Sequence, residues 1–276
     1  MKNKNVSIDI IIATKNRPNL LRKAIQSVIN QTFQNFYIAV TNDGGENVEH
    51  IINEFNDPRI YYFQHDISLG LSQARNTGIK NLNSQFLTCL DDDDVLGKWH
   101  LEFLVRYLTE LNYEIVYTNA IRNIMQKDKN GIYQSVAKDI PYDIDFNFDL
   151  ILVQNITPVE SVGFSRKSIE EIGLFDSTLS RYEDWDAWIK ISRKYPMLHI
   201  PIPTCEFTWR NDLDGTSMSS TPDNLFTTLL PIIYERYWET AHDKVWTCKA
   251  MNSVLKSRGL PEMFSFKQIE EDVKSE

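Results

Sequence analysis

Through the first half of the chain, short apolar runs alternate with apolar positions at helical spacing. Ile8-Asp9-Ile10-Ile11-Ile12-Ala13 is short and β-branched and predicts a strand. The polar stretch Thr14-Lys15-Asn16-Arg17 follows, and Pro18 suits the first turn of a helix. Leu20, Leu21, Ala24, Ile25, Val28 and Ile29 then recur on one helical face. Further strands are predicted at residues 36–40, 59–63, 86–90 and 115–117, and helical segments at 70–78 and 99–111. Such alternation predicts an α/β fold, a mostly parallel central sheet with helices on both faces. In sheets of this kind ligands bind beyond the carboxyl ends of the strands. Three polar clusters fall there: residues 14–17, 42–45 and 91–94.

The second half is less regular. Lys129-Asn130-Gly131 predicts a hairpin turn, and residues 142–149 are acidic and aromatic. Trp185, Trp188, Ile189 and Ile191 have helical spacing. Beyond Pro222 the pattern is helical to near the end, with one apolar face from Leu225, Phe226, Leu229, Leu230, Ile233 and Tyr237 and another from Trp246, Met251, Val254 and Leu255. The expected organisation is a catalytic domain over residues 1–220 with a C-terminal helical extension, 221–276, packed on or next to it.

Bulk properties narrow the classes. The 276 residues carry a formal net charge of −9, which argues against a dedicated nucleic-acid binder. No apolar stretch is long enough to cross a bilayer, and Asp9 interrupts the first apolar run, so no signal peptide is read. Cys89, Cys205 and Cys248 are far apart and odd in number, which fits a reducing cytoplasm and neither a disulfide framework nor zinc spacing.

The most informative junction is Phe86-Leu87-Thr88-Cys89-Leu90 followed by Asp91, Asp92, Asp93 and Asp94. Four adjacent carboxylates repel one another unless something cationic neutralises them. A divalent metal with oxygen ligands, shared with a phosphate, would do so, and a solvated acidic loop is the alternative. No Gly-x-Gly-x-x-Gly follows the first strand, no Walker loop is present, and Phe103 stands where a calcium-binding helix–loop–helix would need its Glu.

Five segments, in order and at element boundaries, carry a resemblance. They are residues 10–17, Asn42-Asp43-Gly44-Gly45, the segment from Gly70 through Ala74-Arg75-Asn76 to Gly78, residues 86–93, and Glu183-Asp184-Trp185-Asp186. Together they resemble the family 2 nucleotide-sugar glycosyltransferases, which have the GT-A fold, over roughly residues 6–220. The resemblance implies a nucleotide-sugar donor and a divalent cation, Mn²⁺ or Mg²⁺, on its diphosphate. It implies that Asp93 ligates the metal, that Asp91 contacts the ribose or the metal's water, and that Asp92 contacts the ribose. Thr14 and Asn16 would line the base pocket, and Arg17 would neutralise phosphate or cap the acidic surface. Asp43 would accept from base or ribose, or serve as a turn residue before two glycines. Arg75 would lie near the nucleotide or pair with an aspartate of the cluster. Asp94 also fits a solvent-facing N-cap of the next helix.

Asp184 is the expected general base. Direct displacement at an anomeric carbon needs a group to take the acceptor's proton, and negative charge on Glu183 and Asp186 would raise the Asp184 pKa toward neutrality. A plain acidic helix N-terminus is the competing account. Trp185 offers a stacking face to an acceptor sugar, whereas Trp188 suits the core. Many relatives place a histidine after the late strand; here residues 207–212 contain none. Arg210 would bring positive charge to the diphosphate but cannot ligate a cation, so no third protein ligand carries over. Residues 211–220 would form a loop over the donor.

The expected activity is therefore inverting transfer from a nucleotide-sugar, by resemblance a UDP-sugar, to a hydroxyl of a surface glycan or lipid-linked precursor. A catalytically silent sugar-nucleotide or glycan binder and a metal-dependent nucleotidyltransferase are the alternatives. The C-terminal helices would pack on the catalytic domain, form a homodimer contact or touch the inner face of the membrane.

Overall fold

A computed structural model describes residues 6–210 and 223–265 of the chain, with side chains from 228 onward in the second segment. Its first half follows the alternation read above. The strands β1 (Ile8–Thr14), β2 (Phe36–Asn42), β3 (Ile60–Gln64) and β4 (Phe86–Asp91) are mutually parallel, in the spatial order β3-β2-β1-β4. Between them run α1 (Pro18–Ile29), α2 (Glu49–Phe55) and α3 (Leu71–Asn81). Pro18 does open α1, where its missing N–H costs nothing.

Alternate side chains of β1 feed two cores, as a two-residue period requires. Ile8, Ile10 and Ile12 pack with Leu21, Ala24, Ile25 and Val28 of α1 on one face. Ile11 joins Ala39 and Ile79 on the other. There α3 comes so close that a Cβ on Gly78 would stand 3.0 Å from both Ala39 Cβ and Ile11 Cγ2. Asp9, which breaks the apolar run, is fully buried; it accepts hydrogen bonds from Ser84 N and Arg166 Nη2, each at 2.9 Å.

Beyond β4 the sheet becomes mixed. A short strand β5 (Val95–Leu96) leads to α4 (His100–Glu110), then to β6 (Ile115–Lys127) and β7 (Tyr133–Asp139). The last two form the hairpin expected at residues 129–131, with Gly131 at φ +77°. After α5 (Phe148–Val153) come β8 (Val162–Ser165), α6 (Arg166–Glu171), α7 (Glu183–Ser192) and β9 (Leu198–Arg210). The order continues β4-β8-β6-β9-β5, with β8 antiparallel to both its neighbours and β6 parallel to β9.

The last two helices are α8 (Asp223–Tyr237) and α9 (Lys244–Ser257). They close over α5 and α7: Leu230, Ile233, Tyr234, Tyr237, Met251 and Leu255 share the core that holds Trp185 and Trp188. The Tyr234 hydroxyl donates to Val153 O at 2.7 Å, and Asp149 accepts from the backbone of His242 and Asp243. The expected boundary at residue 220 and the expected loop at 211–220 lie outside the described residues. Among the described residues no helix is long and apolar enough to cross a membrane.

Candidate active site

The parallel register pairs Ala13 with Asp91 and Thr14 with Asn42, so β1, β2 and β4 end at one level. The start of α7 and the segment before β8 face those ends across a cleft of about 690 Å³. Thr14, Asn16, Arg17, Asp43, Arg75, Asp91, Asp92, Asp93, Glu183 and Asp184 all line it.

Each aspartate of the run has its own partner. Asp91 takes Arg75 Nη2 at 2.7 Å. Asp92 accepts from Thr14 Oγ1 at 2.7 Å and from Arg17 Nη1 at 3.0 Å. Asp93 is flanked by Arg17 at 3.3 Å and by Arg210 Nη1 at 2.7 Å. Burial pushes Asp92 up to about 6, against the pull of Arg17. It also raises Asp93, with Arg17 and Arg210 opposing. The protein's own guanidinium groups thus do part of the neutralising that a run of carboxylates demands.

Asp94 is not a solvent-facing cap. It is buried, and its Oδ1 accepts from Thr208 N at 2.7 Å. The turn at 91–94, closed by Asp94 N donating to Asp91 O, sends the chain into β5, which pairs with β9. That pairing draws Asp94 inward, and Trp99, not Asp94, precedes α4.

Across the cleft, α7 starts after Tyr182, whose φ of +63° turns the chain sharply. Its first turn carries Glu183 and Asp184. Arg75, only 2% exposed, bridges the two walls: Nη1 reaches Glu183 Oε1 at 2.7 Å while Nη2 holds Asp91. Arg75 therefore pairs with the carboxylates, the structural of its two expected roles. Asp184 Oδ2 accepts from Asn155 Nδ2 at 3.0 Å. Burial first, then the charge of Glu183, pushes Asp184 up to about 7, with Arg75 opposing. A carboxylate so held is suited to accept a proton near neutral pH.

Asp186 is not among the main causes of that shift. Two residues on, about 200° around the helix axis, it is not part of the cleft lining; it pairs with Lys190 at 2.7 Å and Arg236 at 3.2 Å and accepts from the Tyr237 hydroxyl. Trp185 likewise is not an acceptor platform. It is 2% exposed, donates through Nε1 to Ile151 O at 2.5 Å, and packs edge-on against Tyr182 and Tyr234. The C-terminal helices cover the face that a sugar would need. Trp188 is buried against Phe164 and Phe175, as its spacing predicted.

Asp43 organises the loop beside the cleft. Its carboxylate accepts from Ser68 Oγ at 2.6 Å, Leu69 N at 2.8 Å and Gly70 N at 2.9 Å, and lies 2.9 Å from His65 Nδ1. Burial works against the charge, yet these bonds hold Asp43 below its ordinary pKa. The residue thus fixes the 65–70 turn. Gly44 makes the approach possible: at φ +70°, a Cβ there would meet Ser68 N at 2.3 Å. Asn16, at φ +57°, accepts from Glu46 N at 2.9 Å and ties the end of β1 to the same turn.

Among the cleft residues not singled out in the sequence are Glu160 and Asn155. Glu160 is 2% exposed, and burial, with Asp91 next, pushes it up to about 8. A lone Glu between Val159 and Ser161 carries no local mark of this position.

Among the described residues, no group of three or more His, Cys, Asp or Glu side chains encloses a cation position. The available donors are the carboxylate oxygens of Asp91 and Asp93, hard ligands suited to Mg²⁺ or Mn²⁺. They fit a cation that enters with a diphosphate supplying the remaining oxygens, rather than one held by protein alone.

Residues 9–173 match the family model described as glycosyl transferase family 2. The chain is 36% identical over 198 residues to WcaA of Escherichia coli, named as a glycosyl transferase of colanic acid biosynthesis; the match covers 71% of this chain and 69% of that one. It is 30% identical over 195 residues to an uncharacterized glycosyltransferase of Rickettsia felis, covering 69% of this chain but only 32% of that longer protein. The fold is similar to that of S. aureus TarS, crystallised with UDP-GlcNAc, with a TM-score of 0.67, 14% identity, and 91% of this chain and 72% of the other covered.

Proposed function

The chain belongs to glycosyl transferase family 2, and from that premise we propose that it is an inverting transferase carrying a hexosyl or N-acetylhexosaminyl group from a nucleotide-sugar to an acceptor hydroxyl. One observation carries the proposal. Asp184, held near pH 7, faces the carboxylate cluster at the end of β4 across the cleft. A donor whose diphosphate lies at that cluster presents its anomeric carbon toward Asp184. The acceptor hydroxyl enters on the Asp184 side, loses its proton to that carboxylate, and attacks opposite the leaving diphosphate. One such displacement reverses the anomeric configuration.

The remaining residues position the donor. Thr14, Asn16 and the turn that Asp43 fixes form the base and ribose side, and Asp91 and Asp92 flank the ribose. Asp91 and Asp93 would hold the divalent cation. When bound, it supplies charge stabilisation to the departing diphosphate. Arg17 and Arg210, already on Asp93, add positive charge beside it. UDP is the proposed nucleotide, in keeping with the UDP-GlcNAc bound by TarS. The name of WcaA favours a growing surface polysaccharide or its lipid-linked precursor as acceptor.

The test is nucleoside diphosphate release from UDP-, GDP- and dTDP-sugars with Mn²⁺ or Mg²⁺, alongside calorimetric titration of the same compounds. Metal-dependent release that is lost in Asp93→Ala is expected. Absence of both release and binding across the whole panel would refute the reading.

A further inference from the structure

Glu160 sits in a single tight turn, Val159–Ser161, between Pro158 and β8. The turn is fixed on both sides: Ser161 N donates to Pro158 O at 3.1 Å, Ser161 Oγ donates to the same carbonyl at 2.7 Å, and β8 is clamped between β4 and β6. The Glu160 backbone is therefore fixed, and its carboxyl is buried and accepts from its own backbone N–H.

Every other acidic side chain lining the cleft takes a hydrogen bond from a different residue of the protein, whereas Glu160, among the described residues, takes one only from its own backbone N–H. Asp91 and Glu183 share Arg75; Asp92 has Thr14 and Arg17; Asp93 has Arg17 and Arg210; Asp94 has Thr208 N; Asp184 has Asn155; Asp43 has its loop. Glu160 Oε1 is buried and has no hydrogen-bond partner among the described residues. An unpaired buried oxygen costs stability, so its retention in a binding cleft calls for a ligand group to complete it.

The location indicates which group. Glu160 lines the same cleft as Asp91, at the end of β4, and Asp184, at the start of α7. On the glycosyltransferase reading, on which this inference rests, the transferred sugar spans the gap between diphosphate and base. We propose that Glu160 hydrogen-bonds a hydroxyl of the transferred sugar and so helps to select the sugar, as distinct from the nucleotide. In either protonation state its carboxyl offers an acceptor oxygen to a sugar hydroxyl.

Calorimetric titration of wild type, Glu160→Gln and Glu160→Ala with UDP and with UDP-glucose, UDP-galactose and UDP-N-acetylglucosamine, all in Mn²⁺, tests this. Loss of a hydrogen bond to the sugar predicts about tenfold weaker binding of the preferred UDP-sugar by Glu160→Ala, with UDP affinity unchanged. Glu160→Gln keeps a carbonyl acceptor at the same reach and recovers most of the loss. Equal weakening of UDP and UDP-sugar would make Glu160 a nucleotide- or metal-side group and overturn the proposal. Unchanged UDP-sugar binding by Glu160→Ala would overturn it too. Failure of wild type to bind any of these compounds would instead bring down the choice of UDP as nucleotide, and this inference with it. Melting temperatures recorded on the same samples identify a variant that fails to fold, in which case Glu160→Gln decides alone.

Discussion

Replacing Asp184 with Asn removes a titratable carboxyl from the cleft while keeping its size and an acceptor for Asn155. The carboxyl has its ordinary pKa near 3.8 in the unfolded chain and is pushed up to about 7 in the fold. Between those values the folded state holds a proton that the unfolded state has released. Stability therefore falls as pH rises through this window, by about 1.36 kcal/mol per pH unit, and is level above it. From pH 5 to pH 7 that amounts to up to about 3 kcal/mol, which Asp184→Asn does not lose. For a chain of this length, about 2–4 °C per kcal/mol converts the difference to roughly 5–10 °C. Thermal unfolding of both proteins at pH 5 and pH 8, at fixed ionic strength, measures it. The melting temperature of Asp184→Asn relative to wild type should rise by that amount between the two pH values. Turnover at pH 8 should meanwhile fall about 10²–10⁴-fold. An offset in melting temperature that is the same at both pH values would refute the claim that Asp184 is held up toward neutrality.

Other substitutions separate the remaining roles. Glu183→Gln removes the negative charge next to Asp184 and should move the midpoint of the pH–rate profile to lower pH; Asp186→Asn, facing α8, should leave that midpoint in place. Trp185→Phe loses the bond to Ile151 O and some volume, so it should lower the unfolding free energy by about 1–3 kcal/mol in urea titration, with acceptor KM unchanged. Gly44→Ala forces a Cβ onto Ser68 N and should displace the 65–70 turn, weakening donor binding by calorimetry about tenfold or more.

The legible parts of this chain were those where local pattern and global position agree. The β-branched run at 8–13, Pro18 at a helix start and apolar spacing through Val28 all point the same way, and the parallel half of the sheet follows from them. The acidic run was informative because its charge sits directly after a strand. Where partners come from afar, the sequence was silent. Val162–Ser165 is only four residues and Leu198–Arg210 is interrupted by Pro201 and Pro203, so neither announces the antiparallel insertion or the long pairing with β6. Asp94 reads as exposed because its neighbours are charged; only the pairing of β5 with β9 turns it inward. Asp186 and Trp185 look like site residues beside Asp184, but successive helical residues point about 100° apart and α8 occupies the far side. Glu160 lacks even a charged neighbour to draw notice, and its place becomes visible only when β8 inserts beside β4.

The central claim is a single displacement at the anomeric carbon with Asp184 opposite the leaving diphosphate. Proton NMR of the first sugar product released from an α-linked UDP-sugar, recorded before the anomers equilibrate, tests it most directly. The account predicts the β anomer first, whether the acceptor is a glycan or water. Initial release of the α anomer would mean retention of configuration and would contradict it.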